Sequence, residues 1–352
     1  MIVKNEEDVI GRCLDSVQGI ADEMVIVDTG STDRTKEIVK KYTEKLYDFP
    51  WIDDFAAARN FAFRQSTQDY ILWLDADDVI LRPDRERFLV LKNELDSAVD
   101  SVTMHYHLAK DEYGNITSSL RRNRLVKRAK EFQWIGAVHE YLAVSGMILN
   151  SDIAITHCST RHDSDRNLRI YQGRLARGDA LSPRDLYYYA NELSDHGHHE
   201  EALSYYQKFL ETKQGWVEDN IAACGKAADC SLALSDGDKQ LYFLFKSFEY
   251  DIPRAECCCR LGFHYLQADK LNQAVYWYKA ATELDKPADC WGMLNEACWT
   301  WLPHLQLCVC YDKLGQHDLA QKHNDLAAGF APANPQILYN KKYFESLLSK
   351  TK

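Results

Sequence analysis

The chain has 352 residues, of which 46% are hydrophobic, so it is long enough to form two or three domains with packed cores. It carries 42 Lys and Arg against 53 Asp and Glu, a net charge of −11, which argues against broad electrostatic binding of nucleic acid or of an anionic membrane. No run approaches the roughly 18 consecutive apolar residues of a membrane span, and Met1 is not followed by a leader peptide. We therefore expect a cytoplasmic protein without an integral membrane segment.

The first part of the chain alternates helical and strand-like patterns. Apolar residues repeat with helical spacing over 9–17 and again over 34–42, and a short apolar run lies between them at 24–27. Further strand-like runs follow at 70–74, 101–108, 141–148 and 153–157. Polar residues follow these runs, which is typical of an open α/β sheet that binds its ligand along the carboxyl ends of the strands.

The pattern changes near residue 165, after which almost the whole chain has helical periodicity. Small and aromatic residues recur in register, so that Ala202 and Tyr206 match Ala274 and Tyr278. Four matching segments begin near residues 183, 221, 255 and 301, with an insertion at 287–300. This spacing is close to the roughly 34-residue period of tetratricopeptide helix pairs. We expect an α/β domain over 1–165 and tetratricopeptide-like helical repeats over 166–352.

Three acids, Asp75, Asp77 and Asp78, follow the strand-like run 70–74. Clustered carboxylates repel one another unless a cation lies among them, and carboxylate oxygens suit Mg²⁺ or Mn²⁺ bound to phosphates. A single Asp-x-Asp is also common in solvated loops, which is the alternative interpretation. The position directly after a buried strand favours a cation site.

Two further residues suit a nucleotide. Asp28 ends an apolar run just before Gly30, which permits a tight turn, so its carboxylate can accept hydrogen bonds from a base or a ribose. Arg59 begins or lies on a helix, and its guanidinium suits a base carbonyl or a phosphate. The alternatives are a turn acid and a solvated arginine.

The segment 121–128 is strongly basic, with Arg121, Arg122, Arg124 and Arg128 among its residues. We expect a solvated strand edge here, with contact to donor phosphates or to an acidic acceptor as the alternative.

Five segments resemble, in order and spacing, the motifs of family 2 glycosyltransferases: 1–7, 27–33, 54–60, 73–77 and 136–140. The repeats make the chain similar to the subset that joins such a domain to tetratricopeptide repeats, which includes the sublancin-type peptide S-glycosyltransferases. Met1 falls where members of this family usually already have several first-strand residues, so we expect a short first strand.

The resemblance implies a nucleotide-diphospho-sugar transferase (GT-A) fold for the first domain. In that fold, Asp28 and Arg59 lie near the nucleotide base, and Asp75 lies near the ribose and the metal. Asp77 would hold Mn²⁺ or Mg²⁺ on the donor diphosphate. His157, which ends the last predicted strand, would be a second metal ligand, and a buried, hydrogen-bonded histidine is the alternative.

The implied reaction is metal-dependent transfer of a hexose from a UDP-linked donor to a peptide or protein side chain. Members of the family invert the anomeric centre, so a carboxylate deprotonates the acceptor, and Glu140 is the predicted base. His139 would orient Glu140 or replace it, and a loop whose polar groups are internally satisfied is the alternative. A glycan or lipid-linked acceptor, a catalytically inactive repeat scaffold and a homodimer remain open alternatives.

Overall fold

The computed structural model describes residues 1–110, 116–158, 165–287, 292 and 294–350. These residues form two compact units, Met1–Leu181 and Ser182–Lys352. The first unit is α/β and the second is helical, as predicted. The first unit extends past residue 165, because the helix that follows this position belongs to it.

The described residues of the first unit form strands and helices that alternate in its first part, whereas strands predominate in its second part. The strands are β1 (Ile2–Val3), β2 (Ile26–Asp28), β3 (Leu46–Asp48), β4 (Tyr70–Leu72), β5 (Asp78–Val79), β6 (Ser101–Lys110), β7 (Ile116–Lys127), β8 (Trp134–Ile135), β9 (Tyr141–Leu142) and β10 (Ile148–His157). The helices are α1 (Ile10–Val17), α2 (Thr35–Val39), α3 (Phe55–Arg64), α4 (Arg82–Glu94) and α5 (Arg166–Ala176). The short first strand agrees with the expectation from the sequence.

The strands form two main sheets rather than one. β1, β2 and β3 form a parallel sheet with β2 in the middle. The other sheet has the order β4-β7-β6-β10-β5, in which β6 and β10 are parallel and the other neighbours are antiparallel. β1 and β4, which end the two sheets, are only two and three residues long. The prediction of a single open sheet was therefore wrong.

Helix α1 packs against both sheets. Ile10 and Leu14 belong to an apolar cluster with Ile26 of β2, whereas Cys13 and Val17 belong to a cluster with apolar residues of the second sheet. This division is possible because the apolar positions of α1 cover a wide stripe of the helix. The shared helix brings the strand ends of both sheets into one unit.

The second unit consists of antiparallel helix pairs of the tetratricopeptide type. Its helices are α6 (Pro183–Asp195), α7 (His199–Thr212), α8 (Val217–Ala233), α9 (Gly237–Lys246), α10 (Ala255–Gln267), α11 (Leu271–Glu283), α12 (Trp301–Lys313), α13 (His317–Phe330) and α14 (Pro335–Lys350). The matched residues Ala202, Tyr206, Ala274 and Tyr278 are all buried. Small residues at these positions let the paired helices approach, and the tyrosine rings fill the space between them. Residues 288–291 and 293 of the predicted insertion lie outside the described residues.

Most of the basic segment, residues 121–127, lies in β7, which is paired with β4 on one side and with β6 on the other. It is therefore an interior strand, and the prediction of a solvated edge was wrong. Arg124 is 0% exposed. Charge pattern alone predicted exposure, because β4, which covers the second side of β7, lies far earlier in the sequence.

The predicted strand 141–148 is interrupted, because a turn at Gly146 separates β9 from β10. The backbone of Gly146 has φ +99°, and a Cβ added there would lie 2.1 Å from Asp100 Oδ2. That oxygen accepts a hydrogen bond from Met147 N–H at 3.0 Å, and Lys130 pairs with the same carboxylate at 3.2 Å. The turn therefore has no room for a side chain.

We predict that Gly146→Ala destabilises the first unit by about 2 kcal/mol or more relative to Gly178→Ala. Gly178 is the matched control, because it has φ +83° but nothing lies within 4 Å of its added Cβ. Both variants carry backbone strain, and only Gly146→Ala adds a clash. Thermal unfolding followed by circular dichroism measures the difference, and equal melting temperatures would contradict the packing described here.

Candidate active site

Asp28 ends β2 as a fully buried carboxylate. Its Oδ1 accepts hydrogen bonds from the N–H groups of Gly30 and Ser31, both at 2.9 Å, and lies 3.6 Å from Lys36 Nζ. Its Oδ2 is buried without a hydrogen-bond partner. A buried oxygen of this kind costs free energy unless a ligand supplies a donor. The geometry thus suits the predicted hydrogen bond from a nucleotide.

The three acids that follow β4 form a tight turn. Asp78 N–H donates to the carbonyl of Asp75 at 3.1 Å, and Asp75 N–H donates back to Asp78 Oδ2 at 3.0 Å. Arg124 Nη1 donates to the same Oδ2 at 2.9 Å, and both side chains of this ion pair are 0% exposed. The turn is therefore fixed by a buried carboxylate rather than by solvent.

Strand pairing brings His157 to this turn. In the antiparallel pair of β10 and β5, His157 lies opposite Asp78, and Cys158 N–H donates to the carbonyl of Asp77 at 2.8 Å. His157 Nδ1 lies 3.5 Å from Asp77 Oδ1 and 3.9 Å from Asp78 Oδ1. The nearby carboxylates of Asp77 and Asp78 stabilise the charged imidazolium and raise the pKa of His157 to about 10.

The side chains of Asp77, Asp78 and His157 fit a divalent cation. One potential ligand atom from each lies within 4.8 Å of the others. Asp78 Oδ1 is buried without a hydrogen-bond partner, so it has an unused lone pair at this point. Carboxylate oxygens and one imidazole nitrogen suit Mn²⁺ or Mg²⁺. The sequence predicted Asp77 and His157 as ligands and did not assign Asp78 to the site.

Arg59 links two of the predicted site residues. Its Nη2 donates to Asp75 Oδ1 at 2.7 Å and its Nε donates to Glu140 Oε1 at 2.5 Å. The guanidinium lies beside the rings of Trp73 and Trp134, which contact each other edge to face, with its carbon 5.2 Å and 4.8 Å from their centroids. Burial alone would raise the pKa of Asp75, but the ion pair with Arg59 holds it well below its usual range. Arg59 is therefore not a solvated arginine.

Glu140 and His139 lie in the loop between β8 and β9. The carbonyl of Ala137 in this loop accepts a hydrogen bond from Phe55 N–H at the start of α3, at 2.9 Å. The same helix carries Arg59, so one element fixes both the loop and the partner of Glu140. His139 is half-buried with φ +49°. The structure thus brings the predicted base, Glu140, to the arginine that also binds Asp75.

Glu6 is an acid of this region that the sequence did not single out. Burial, followed by the negative charge of Asp77, raises its pKa to about 7. It precedes α1 and lies within the first of the five motif segments. Its motif position was the available signal, whereas nothing in the local pattern marked Arg124 as a partner of Asp78.

Residues 1–153 match the profile of the family described as "Glycosyl transferase family 2". The chain is 35% identical over 140 residues to the "TPR repeat-containing protein Synpcc7942_0270" of Synechococcus elongatus, and the aligned region covers 40% of this chain and 34% of that protein. It is 26% identical over 274 residues to the "SPbeta prophage-derived glycosyltransferase SunS" of Bacillus subtilis, which covers 71% of this chain and 62% of that protein. It is 31% identical over 165 residues to the "Lipopolysaccharide core biosynthesis glycosyltransferase LpsC" of Rhizobium meliloti, which covers 43% of this chain and 58% of that protein.

The chain therefore spans less than two thirds of the length of each of these relatives. Among the described residues, none of the helices is both long enough and apolar enough to cross a membrane.

We predict that Arg59→Met destabilises the first unit by about 3–5 kcal/mol, because it leaves two carboxylates without their shared partner. Arg64→Met is the matched control, since Arg64 is an exposed residue near the end of the same helix. Its cost should stay within about 0.5 kcal/mol. Thermal unfolding compares the two variants, and similar melting temperatures would mean that Arg59 does not hold the site together.

Proposed function

We propose that this chain, whose residues 1–153 match the profile of glycosyl transferase family 2, transfers a hexose from a UDP-linked donor to a peptide or protein side chain. In this proposal the reaction inverts the anomeric centre and requires Mn²⁺ or Mg²⁺. The observation that carries the proposal is the joining of two groups of residues by one acidic turn. Asp77 of this turn lies beside His157. Asp75 of the same turn pairs with Arg59, which also pairs with Glu140.

Two buried carboxylate oxygens with unused hydrogen-bonding capacity support binding of a nucleotide donor. Asp28 Oδ2, at the end of β2, and Asp78 Oδ1, at the start of β5, are buried oxygens without hydrogen-bond partners. Asp28 would accept a hydrogen bond from the base, and Asp75 would accept one from the ribose. A divalent cation held by Asp77 and His157 would neutralise the diphosphate as it leaves.

Glu140 would act as the base that accepts the proton of the acceptor's hydroxyl or thiol. The acceptor's hydroxyl or thiol attacks the anomeric carbon while the bond from that carbon to the diphosphate oxygen breaks, and its proton passes to Glu140. Arg59 would fix the orientation of Glu140 by donating to Oε1, and contact with the rings of Trp73 and Trp134 restricts the movement of the guanidinium. His139 would orient the same carboxylate or take its place.

We assign a peptide or protein acceptor because the chain has a tetratricopeptide-type unit, which we propose recognises or positions the acceptor. A second candidate is a glycan or lipid-linked acceptor, and the similarity to LpsC favours it. The two candidates separate when peptides and glycan acceptors are offered to the same enzyme preparation with the same donor.

An inactive interaction scaffold is disfavoured by the cost of the acidic turn. Asp78 and Arg124 are both 0% exposed, and a buried ion pair of this kind is often no more stable than apolar side chains of similar volume. A chain that had lost its chemistry would have no physical need for such a pair.

The experiment is a donor screen by mass spectrometry with the full chain, UDP-hexoses, and either Mn²⁺ or a chelator. We expect slow Mn²⁺-dependent hydrolysis of a UDP-hexose, and we expect UDP with Mn²⁺ to raise the melting temperature. Asp77→Asn should remove most of the Mn²⁺-dependent turnover, whereas Asp69→Asn, at an exposed acid, should leave it unchanged.

The variant Glu140→Gln distinguishes a role of Glu140 as the base from a role in donor binding. It should keep the thermal shift with UDP and Mn²⁺ while transfer to a hydroxyl acceptor falls roughly 10²–10⁴-fold. Loss of UDP binding in this variant would place Glu140 in the donor pocket instead. A clear shift with GDP and none with UDP would contradict the donor assignment.

A further inference from the structure

Arg124 is a fully buried arginine in the second sheet, and the proposed chemistry gives it no contact with a substrate. Its guanidinium carbon lies 3.9 Å from the ring centroid of Trp73 and 4.3 Å from that of Tyr106. Its Nη1 donates to Asp78 Oδ2, and its Nε and Nη2 have no hydrogen-bond partner. Burying a guanidinium in this way is costly, so its charge must be balanced by Asp78.

Asp78 has two oxygens with different surroundings. Oδ2 is saturated by Arg124 and by Asp75 N–H, whereas Oδ1 is buried, has no hydrogen-bond partner and faces His157 Nδ1 at 3.9 Å. The free oxygen therefore points toward the cation cluster. The positive charge of Arg124, which lies beside Oδ2, lowers the attraction that the Asp78 carboxylate exerts on a cation near Oδ1.

The same balance operates at Asp75, which is paired with Arg59. Of the three carboxylates in the turn, two are thus opposed by an arginine, and the third, that of Asp77, lies 3.5 Å from His157 Nδ1. A divalent cation entering alone would meet little net negative charge. A diphosphate arriving with it would supply the missing negative charge.

We propose that Arg124 is a positioning residue that keeps the donor-free cation site weak, so that the divalent cation binds together with the nucleotide diphosphate. This inference rests on the proposed function, since it assumes a diphosphate donor. By linkage, Mn²⁺ and UDP must then strengthen each other's binding by the same factor.

The test measures Mn²⁺ binding to the full chain by electron paramagnetic resonance of the free ion, with and without UDP. In the wild type, UDP should strengthen Mn²⁺ binding strongly. Arg124→Met should tighten Mn²⁺ binding without UDP at least about tenfold, because Asp78 then lacks its cationic partner. The strengthening by UDP should fall by a similar factor.

Two matched variants distinguish the effect of losing the Arg124 charge from a general structural effect of the substitution. Arg124→Lys keeps the charge and should restore weak binding of Mn²⁺ alone. Arg121→Met removes a charge from the same strand at a residue that pairs with Asp152 rather than with the turn, and it should bind Mn²⁺ like the wild type. A folded Arg124→Met variant with wild-type Mn²⁺ affinity would overturn the inference.

If Arg124→Met fails to fold, Asp78→Asn carries the test, because the amide keeps the oxygen that bonds Asp75 N–H and Arg124. With Arg124 then unopposed, Mn²⁺ should bind more weakly without UDP, and UDP should bind more tightly without Mn²⁺. Unchanged affinities for both would overturn the inference. A wild-type chain that binds neither UDP nor UDP with Mn²⁺ would instead contradict the proposed function.

Discussion

The candidate site depends on the pairing of buried carboxylates with buried arginines. Asp75 and Asp78 lie three residues apart in one turn, and Arg59 and Arg124 oppose them from a helix and from a strand. Burial would raise the pKa of Asp75, and the ion pair with Arg59 holds it well below its usual range, whereas Arg124 balances the buried charge of Asp78. Because both guanidinium groups lie against aromatic rings, their positions are fixed before any ligand binds.

The fold supplies these partners by bringing distant segments to the carboxyl ends of strands. β10 and β5 pair in a register that puts His157 opposite Asp78, and β7 carries Arg124 into the interior of the same sheet. Helix α3 then connects the turn to the loop of Glu140 through Arg59. The acidic turn is thus the point at which the proposed donor and acceptor groups meet, so a change there affects both.

The sequence predicted the parts of this arrangement that are local. The acids after an apolar run, the glycine turn after Asp28 and the register of the helical repeats are all visible as short patterns. The ion pair of Arg59 with Glu140 spans 81 residues, and that of Asp78 with Arg124 spans 46. Pairing at such separations is set by strand order and packing, so charge pattern alone placed Arg124 at a solvated edge. The division into two sheets was missed for the same reason, because strand length in a pattern does not reveal which strands pair.

We propose that Asp77 and His157 hold a divalent cation beside the donor diphosphate. The most direct measurement is an anomalous difference map from crystals grown with UDP and Mn²⁺, collected on both sides of the manganese absorption edge. We expect a manganese peak that contacts Asp77, His157 and the diphosphate oxygens. A peak elsewhere, or ordered UDP with no manganese at this turn, would contradict it.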